Sequence, residues 1–238
     1  MSLKKILIKN SITYRIYIYY NLYIRHKAHK KRKFYSQWGE DKFIKEFFKD
    51  RLKGFYVDIG SFHPILYNNT CSLFNIGWRG INIDLNKTAI DMFNITRPKD
   101  YNICAAISDK IEEKDLYFDD PFSPVNTLMK SFYDSSNKEV AFKKLVKKKI
   151  MTKNFDQITK DIPNLPKINF LNIDCEGHDY SVLNGFNLKI HNPELICIET
   201  HDVNNSEALG FKNINNLLNN HNYTLLKRCG PSSIFKKK

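Results

Sequence analysis

The sequence predicts an α/β protein whose mostly parallel sheet is covered on both faces, and three features of its 238 residues predict it. Short β-prone runs alternate with stretches of helical periodicity, the pattern of right-handed βαβ units. The run at 55–59 is short, apolar and β-prone, as a buried strand is. The last two β-prone runs follow each other with no helix between them, which predicts an antiparallel addition at the sheet edge.

Each element has a local reason. Over residues 37–53, Phe43, Ile44, Phe47 and Phe48 recur at helical spacing, and Gly54 ends the helix. Residues 55–59 are a strand entering a tight turn at Gly60. A helix over 70–76 is closed by Gly77, and residues 80–84 are a second strand ending in an acid. Residues 88–97 are helical until Pro98 stops them. A third strand spans 103–107. Between 110 and 165 the pattern loosens into an insertion or lid, with Asp119 and Asp120, a Pro-containing loop, and a lysine run, 147–149, that reads as a solvated face. Order returns with a fourth strand at 168–174, a helix at 180–188, a fifth strand at 194–199 and a helix at 214–220. A hairpin, 223–226 with 233–235, closes the chain.

The net charge of +13 is unevenly spread. Residues 1–33 hold ten Lys and Arg and no acid, which leaves only +3 for the remainder. The chain therefore divides into a basic arm, residues 1–34, and a domain, residues 35–238, that contains the insertion. Such an arm suits an anionic membrane surface, nucleic acid or an acidic partner, or is a solvated tail. Residues 12–24 are rich in Ile, Tyr and Leu, but Arg15 interrupts them and they are too short to span a bilayer. No small-residue cleavage site follows. An interfacial amphipathic helix with tyrosines at the headgroup level is one outcome. The five cysteines are odd in number and form no Cys-x-x-Cys site, so they read as buried free thiols in a reducing compartment. The expectation is a cytoplasmic protein, free or peripheral at the inner face of the membrane.

In an open α/β sheet, ligands bind beyond the carboxyl ends of the strands. Those ends carry Asp58, Gly60 and Ser61; Asp84 and Asn86; Ala106 and Ile107; Asp174, Glu176 and His178; and Glu199, His201 and Asp202. Asp84 lies 26 residues after Asp58, where a carboxylate can accept both ribose hydroxyls of an adenosine. Gly60 is followed by Ser61, Phe62, His63 and Pro64, so the later glycines of a dinucleotide-binding turn are missing and a pyrophosphate is poorly accommodated. S-adenosylmethionine has the adenosine without the pyrophosphate, and its positive charges suit Asp58.

Several segments in order carry a resemblance. They are Tyr35-Ser36-Gln37-Trp38-Gly39-Glu40-Asp41, Val57-Asp58-Ile59-Gly60-Ser61-Phe62-His63-Pro64, Asn68-Asn69-Thr70, Gly77-Trp78-Arg79-Gly80-Ile81, Ile83-Asp84-Leu85-Asn86, and Phe170-Leu171-Asn172-Ile173-Asp174-Cys175-Glu176-Gly177-His178-Asp179. From about residue 35 to 200 the chain resembles the FkbM family of methyltransferases. The resemblance implies a Rossmann-like class I methyltransferase fold, a mostly parallel seven-stranded sheet with an antiparallel edge strand. It also implies S-adenosylmethionine-dependent O-methylation, often of sugars or polyketides. The stretch 110–150 follows no such pattern.

On this reading Asp58, Gly60 and Ser61 line the methionine and ribose of the cofactor, Asp84 binds the ribose with Asn86 beside it, and Ala106 and Ile107 pack near adenine. Gln37 and Asp41 close over the cofactor. Asn69 and Thr70 either present helix N–H groups to the methionine carboxylate or simply cap that helix. Asp174, Glu176 and His178 face the transferring methyl, with Asp174 or His178 as base; the bland readings are an ion pair for Glu176 and a polar contact for His178. Alternatively Asp174 with Glu199, His201 or Asp202 binds a divalent cation such as Mg2+. His63 is a loop candidate for substrate contact, or shapes the turn before Pro64. The expected acceptor is a sugar hydroxyl on a nucleotide sugar or a surface glycan, in capsule or lipopolysaccharide polysaccharide biosynthesis. The alternatives are RNA methylation, disfavoured because the charge sits in the arm, nicotinamide-dependent redox chemistry, disfavoured by the missing glycines, and a non-catalytic binding protein of the same fold.

Overall fold

The computed structural model describes residues 11–26, 32–118, 126–130, 146–201 and 210–238. A helix, α1 (Ser11–Tyr20), runs on into a wider π turn (Asn21–Arg25) and precedes α2 (Glu40–Phe47). The βα alternation is β1 (Phe55–Ile59), α3 (Cys71–Asn75), β2 (Arg79–Asp84), α4 (Lys87–Thr96) and β3 (Tyr101–Cys104). A short β4 (Ala106–Ile107), β5 (Glu113–Phe118), β6 (Val146–Lys153) and α5 (Phe155–Thr159) interrupt it. It resumes as β7 (Phe170–Ile173), α6 (Asp179–Asn184), β8 (Leu195–Glu199) and α7 (Phe211–Asn220), and ends in β9 (Tyr223–Cys229) and β10 (Ser232–Lys237).

The main sheet has seven strands in the order β3-β2-β1-β7-β8-β10-β9. Its first five are parallel, and β10 joins antiparallel to both β8 and β9. The mostly parallel seven-stranded sheet and its antiparallel edge are therefore as expected. Residues alternate between two packed faces. Val57, Ile59, Ile83, Leu171 and Ile198 meet Phe155, Val182 and Phe186 on one side. Tyr56, Phe170 and Cys197 meet Ile44, Phe48 and Trp78 on the other. Burial on both sides explains why these strands read as near-continuous apolar runs.

Two regions differ from expectation. The run 103–107 is not one strand: β3 ends at Cys104, and Ala106 and Ile107 leave the main sheet to pair with Thr152 and Lys153 of β6. The stretch expected to be irregular holds a small second sheet, β4-β6-β5. Lys148 and Lys149 are exposed as expected, but Lys149 is drawn toward Glu113 and Asp115 on the facing strand. Residues 119–125 and 131–145 of the expected insertion lie outside the described residues. Among the described residues, no helix is long and apolar enough to cross a membrane.

Candidate active site

One cavity opens at the carboxyl ends of β1, β2 and β7. It is lined by Gln37, Gly60, Phe62, Tyr67, Asp84, Leu85, Asn86, Ala105, Ala106, Ile107, Asn126, Leu128, Asp174, Cys175, Glu176 and His178, with Ile59 and Ile83 beneath. Nine of the expected site residues thus meet there: Gln37, Gly60, Asp84, Asn86, Ala106, Ile107, Asp174, Glu176 and His178.

Asp84 ends β2 and fixes the turns on either side of it. Its Oδ2 accepts the N–H of Phe62 at 2.8 Å and its Oδ1 that of Asn86 at 2.7 Å. Each oxygen keeps a lone pair, so the carboxylate can still accept from two hydroxyls. Burial pushes its pKa up to about 6. Asn86 caps α4 by accepting the N–H of Thr88. Beyond Asp84 the wall turns apolar through Leu85, Ala106 and Leu128, which pack together with Leu116.

Gly60 has φ +77°, and a Cβ there would lie 1.8 Å from the carbonyl oxygen of Asp174. Glycine is thus required by the approach of β1 to β7 as well as by its left-handed backbone. The segment after β7 is equally constrained. Glu176 adopts φ +52° and Gly177 φ +87°, a conformation uncommon for a residue with a side chain. Asp179 holds this loop by accepting the N–H of Cys175 at 2.8 Å and of Gly177 at 3.0 Å. Thr127 ties it from outside by donating to the Glu176 carbonyl.

Asp174 lines the cavity and is exposed to it, among the other acids of the site. Burial, and then the charges of Asp179, Glu40, Asp58 and Asp84, push its pKa up to about 7. Burial with the charge of Asp174 raises Glu176 well above the usual carboxylate range. His178 moves the other way. Burial and the neighbouring Lys114 lower it to about 4, and its Nε2 meets Ser108 Oγ at 3.0 Å. It is a neutral imidazole at pH 7, which makes Asp174 the better-matched base.

Asp58, Ser61, Asn69 and Thr70 do not line this cavity. Asp58 lies in register with Asn82 on β2 and Asn172 on β7, so the three form a polar row across the sheet. The Asp58 carboxylate accepts from Thr70 at 2.7 Å, Asn172 at 2.9 Å and Asn68 at 3.1 Å. Asn69 in turn donates to Asn172. The N–H of Thr70 is held by Asn68, and α3 has only five residues, so this end offers no open N–H cradle for a carboxylate. Asp41 likewise serves the scaffold, accepting from Tyr35, Ser36 and Ser72. His63 is buried rather than exposed, and its Nδ1 accepts the N–H groups of Ile65 and Leu66. That matches the turn-shaping alternative.

Among the described residues the expected cation site is not assembled: no group of three His, Cys, Asp or Glu side chains could hold a metal ion. Glu199 and His201 do not line the cavity with Asp174; the His201 ring packs on Phe211 and its Nδ1 meets Thr200 Oγ1 at 2.8 Å. Asp202 lies outside the described residues.

Arg97 has the largest role that the sequence did not reveal. Though fully buried, it donates to Tyr56, Thr70, Asn82, Asn68 and the carbonyl of Pro64. Its guanidinium lies over Phe74 and Phe93. Through Thr70 and Asn68 it supports Asp58, and through Tyr56 it reaches Asp100. A lone Arg before Pro98 reads as a helix end, and nothing local marks it as a hub. Phe62 and Tyr67, both with positive φ, are further lining residues that pattern reading missed.

The chain thus has a Rossmann-like sheet with an acid at the end of β2 and a constrained acidic loop after β7. The family model described as the methyltransferase FkbM domain matches residues 58–225, and the chain belongs to that family. It is a methyltransferase. Comparison with curated proteins and with solved structures found no match.

Proposed function

We propose that the protein moves the methyl group of S-adenosylmethionine onto a sugar hydroxyl, carried by a nucleotide sugar or a surface glycan such as capsule or lipopolysaccharide, in the cytoplasm. The observation that carries this reading is the meeting in one cavity of Asp84, the apolar wall of Leu85, Ala106, Ile107 and Leu128, and the acids Asp174 and Glu176. S-adenosylmethionine supplies an electrophilic methyl on a sulfonium. Asp84 has acceptor capacity for both ribose hydroxyls, and the apolar wall suits a purine face. Asp174 would accept the proton of the acceptor hydroxyl as the hydroxyl oxygen takes the methyl carbon and the methyl–sulfur bond breaks, the electron pair leaving on the sulfur of S-adenosylhomocysteine. A positive sulfonium nearby favours the ionised Asp174 that this step needs. His178 holds Ser108 and the loop rather than the proton.

Carboxylates and the amides of Gln37 and Asn126 suit the hydroxyls of a sugar. The same acids repel a phosphate backbone, which counts against RNA as acceptor. The five unpaired thiols fit a reducing compartment. The test is a screen of nucleotide sugars and glycan fractions with methyl-labelled donor. Label is expected in a sugar, and Asp174→Asn is expected to abolish transfer while sparing donor binding. Label in RNA, or no acceptor despite donor binding, would overturn the proposal.

A further inference from the structure

The helix α1 and the π turn after it carry two apolar faces. Tyr14, Ile18 and Leu22 pack against Met92 and Ile95 of α4, and the Tyr14 hydroxyl donates to Asp91 at 2.7 Å. This contact holds the helix against the body, so it is not a loose tail. The opposite face is exposed. Ile16 and Ile24 are each 63% exposed, with Tyr19 at 50% and Tyr20 at 43%. One face is accounted for by the domain, and a contiguous exposed apolar row on the other marks an interaction surface.

Charge identifies the occupant. Arg15 lies in the exposed row, Arg25 follows it, and residues 1–33 hold ten basic residues and no acid. We infer that this face docks on an anionic lipid surface, with the isoleucines in the acyl boundary, the tyrosines at the headgroups and the arginines on the phosphates. Protein partners and a second copy of this chain are less well matched: the row carries Arg15 and is followed by Arg25, and a copy would bring the same charges together. The inference does not depend on the acceptor proposed above. Its consequence concerns the cavity. The His26 ring meets His63 in the turn between Phe62 and Tyr67, and α4 begins at Asn86, so the docked helix would hold the cavity rim at the lipid surface.

The test is flotation of the full chain with equimolar phosphatidylglycerol–phosphatidylcholine vesicles, against phosphatidylcholine alone. Binding is expected only with the anionic vesicles and is expected to weaken with salt. The Ile16→Asp/Ile24→Asp variant is expected to lose binding at the wild-type melting temperature. Should that variant fold poorly, Arg15→Glu/Arg25→Glu is expected to weaken binding at least about tenfold, since each basic residue at an anionic surface strengthens it about fivefold. Absent binding, equal binding to both vesicle types, or a wild-type dimer broken by the Asp variant would overturn the inference.

Discussion

Asp174 and His178 stand on one constrained loop, and burial acts on both by disfavouring charge. The acid rises to about 7 and the imidazole falls to about 4. Two measurements follow from Asp174. As pH rises through about 7 its base form appears, so the transfer rate is expected to climb with a midpoint near that value. A pH–rate profile set by a group near 4 would instead point to His178. The second is stability. Asp174 has an ordinary value of 3.8 when exposed in the unfolded chain, and the folded value is higher. The folded state therefore keeps a proton that the unfolded chain has released. This contribution is complete below about pH 4 and is lost as pH rises to about 7. Asp174→Asn is expected to raise the melting temperature above pH 7 and to leave it unchanged below pH 4. At this scale Asp84 and Asp174 were legible in the sequence, because an acid closing an apolar strand has few structural uses. Asp58 was placed on the right element, but its carboxylate serves an internal row. One sequence cannot show that Asn82 and Asn172 stand beside it in register.

At the scale of elements, the turn after β1 depends on Gly60. Gly60→Ala combines a positive φ with an overlap on backbone that cannot move aside. It is expected to cost roughly 3 kcal/mol or more, lowering the melting temperature by about 6–12 °C in a thermal scan. Arg97 joins α4 to β1, β2 and the turn before α3. Arg97→Met leaves Tyr56, Thr70, Asn68 and Asn82 without their shared buried donor. Denaturant unfolding is expected to show a loss of about 3–5 kcal/mol; a loss under about 1 kcal/mol would mean that the network rearranges freely. The strands of the main sheet were legible as apolar runs. The division at Ala105 was not, because Ile103 to Ile107 are uniformly apolar and the pairing of Ala106 and Ile107 with β6 is a long-range choice. Helix ends were less legible than helix positions: α2 stops at Phe47, short of the expected 53, whereas α7 starts at Phe211, before the expected 214.

Over the whole molecule, positive charge is concentrated in the arm and acids gather at the cavity. That division sets a basic N-terminal arm apart from an acid-lined cavity. The charge asymmetry and the alternation of strands and helices were legible without coordinates, because both are sums over many residues. The two-faced packing of α1 was not, since its buried and exposed rows are chemically alike. The cavity beside Asp84 is proposed to hold S-adenosylmethionine. Isothermal titration of the full chain with S-adenosylmethionine and with NADH, repeated on Asp84→Asn, tests it most directly. Saturable binding of S-adenosylmethionine, no heat with NADH, and at least about tenfold weaker binding in the variant, the loss of roughly 1.4 kcal/mol, is the expected result. NADH binding, or S-adenosylmethionine binding that Asp84→Asn leaves unchanged, would contradict it.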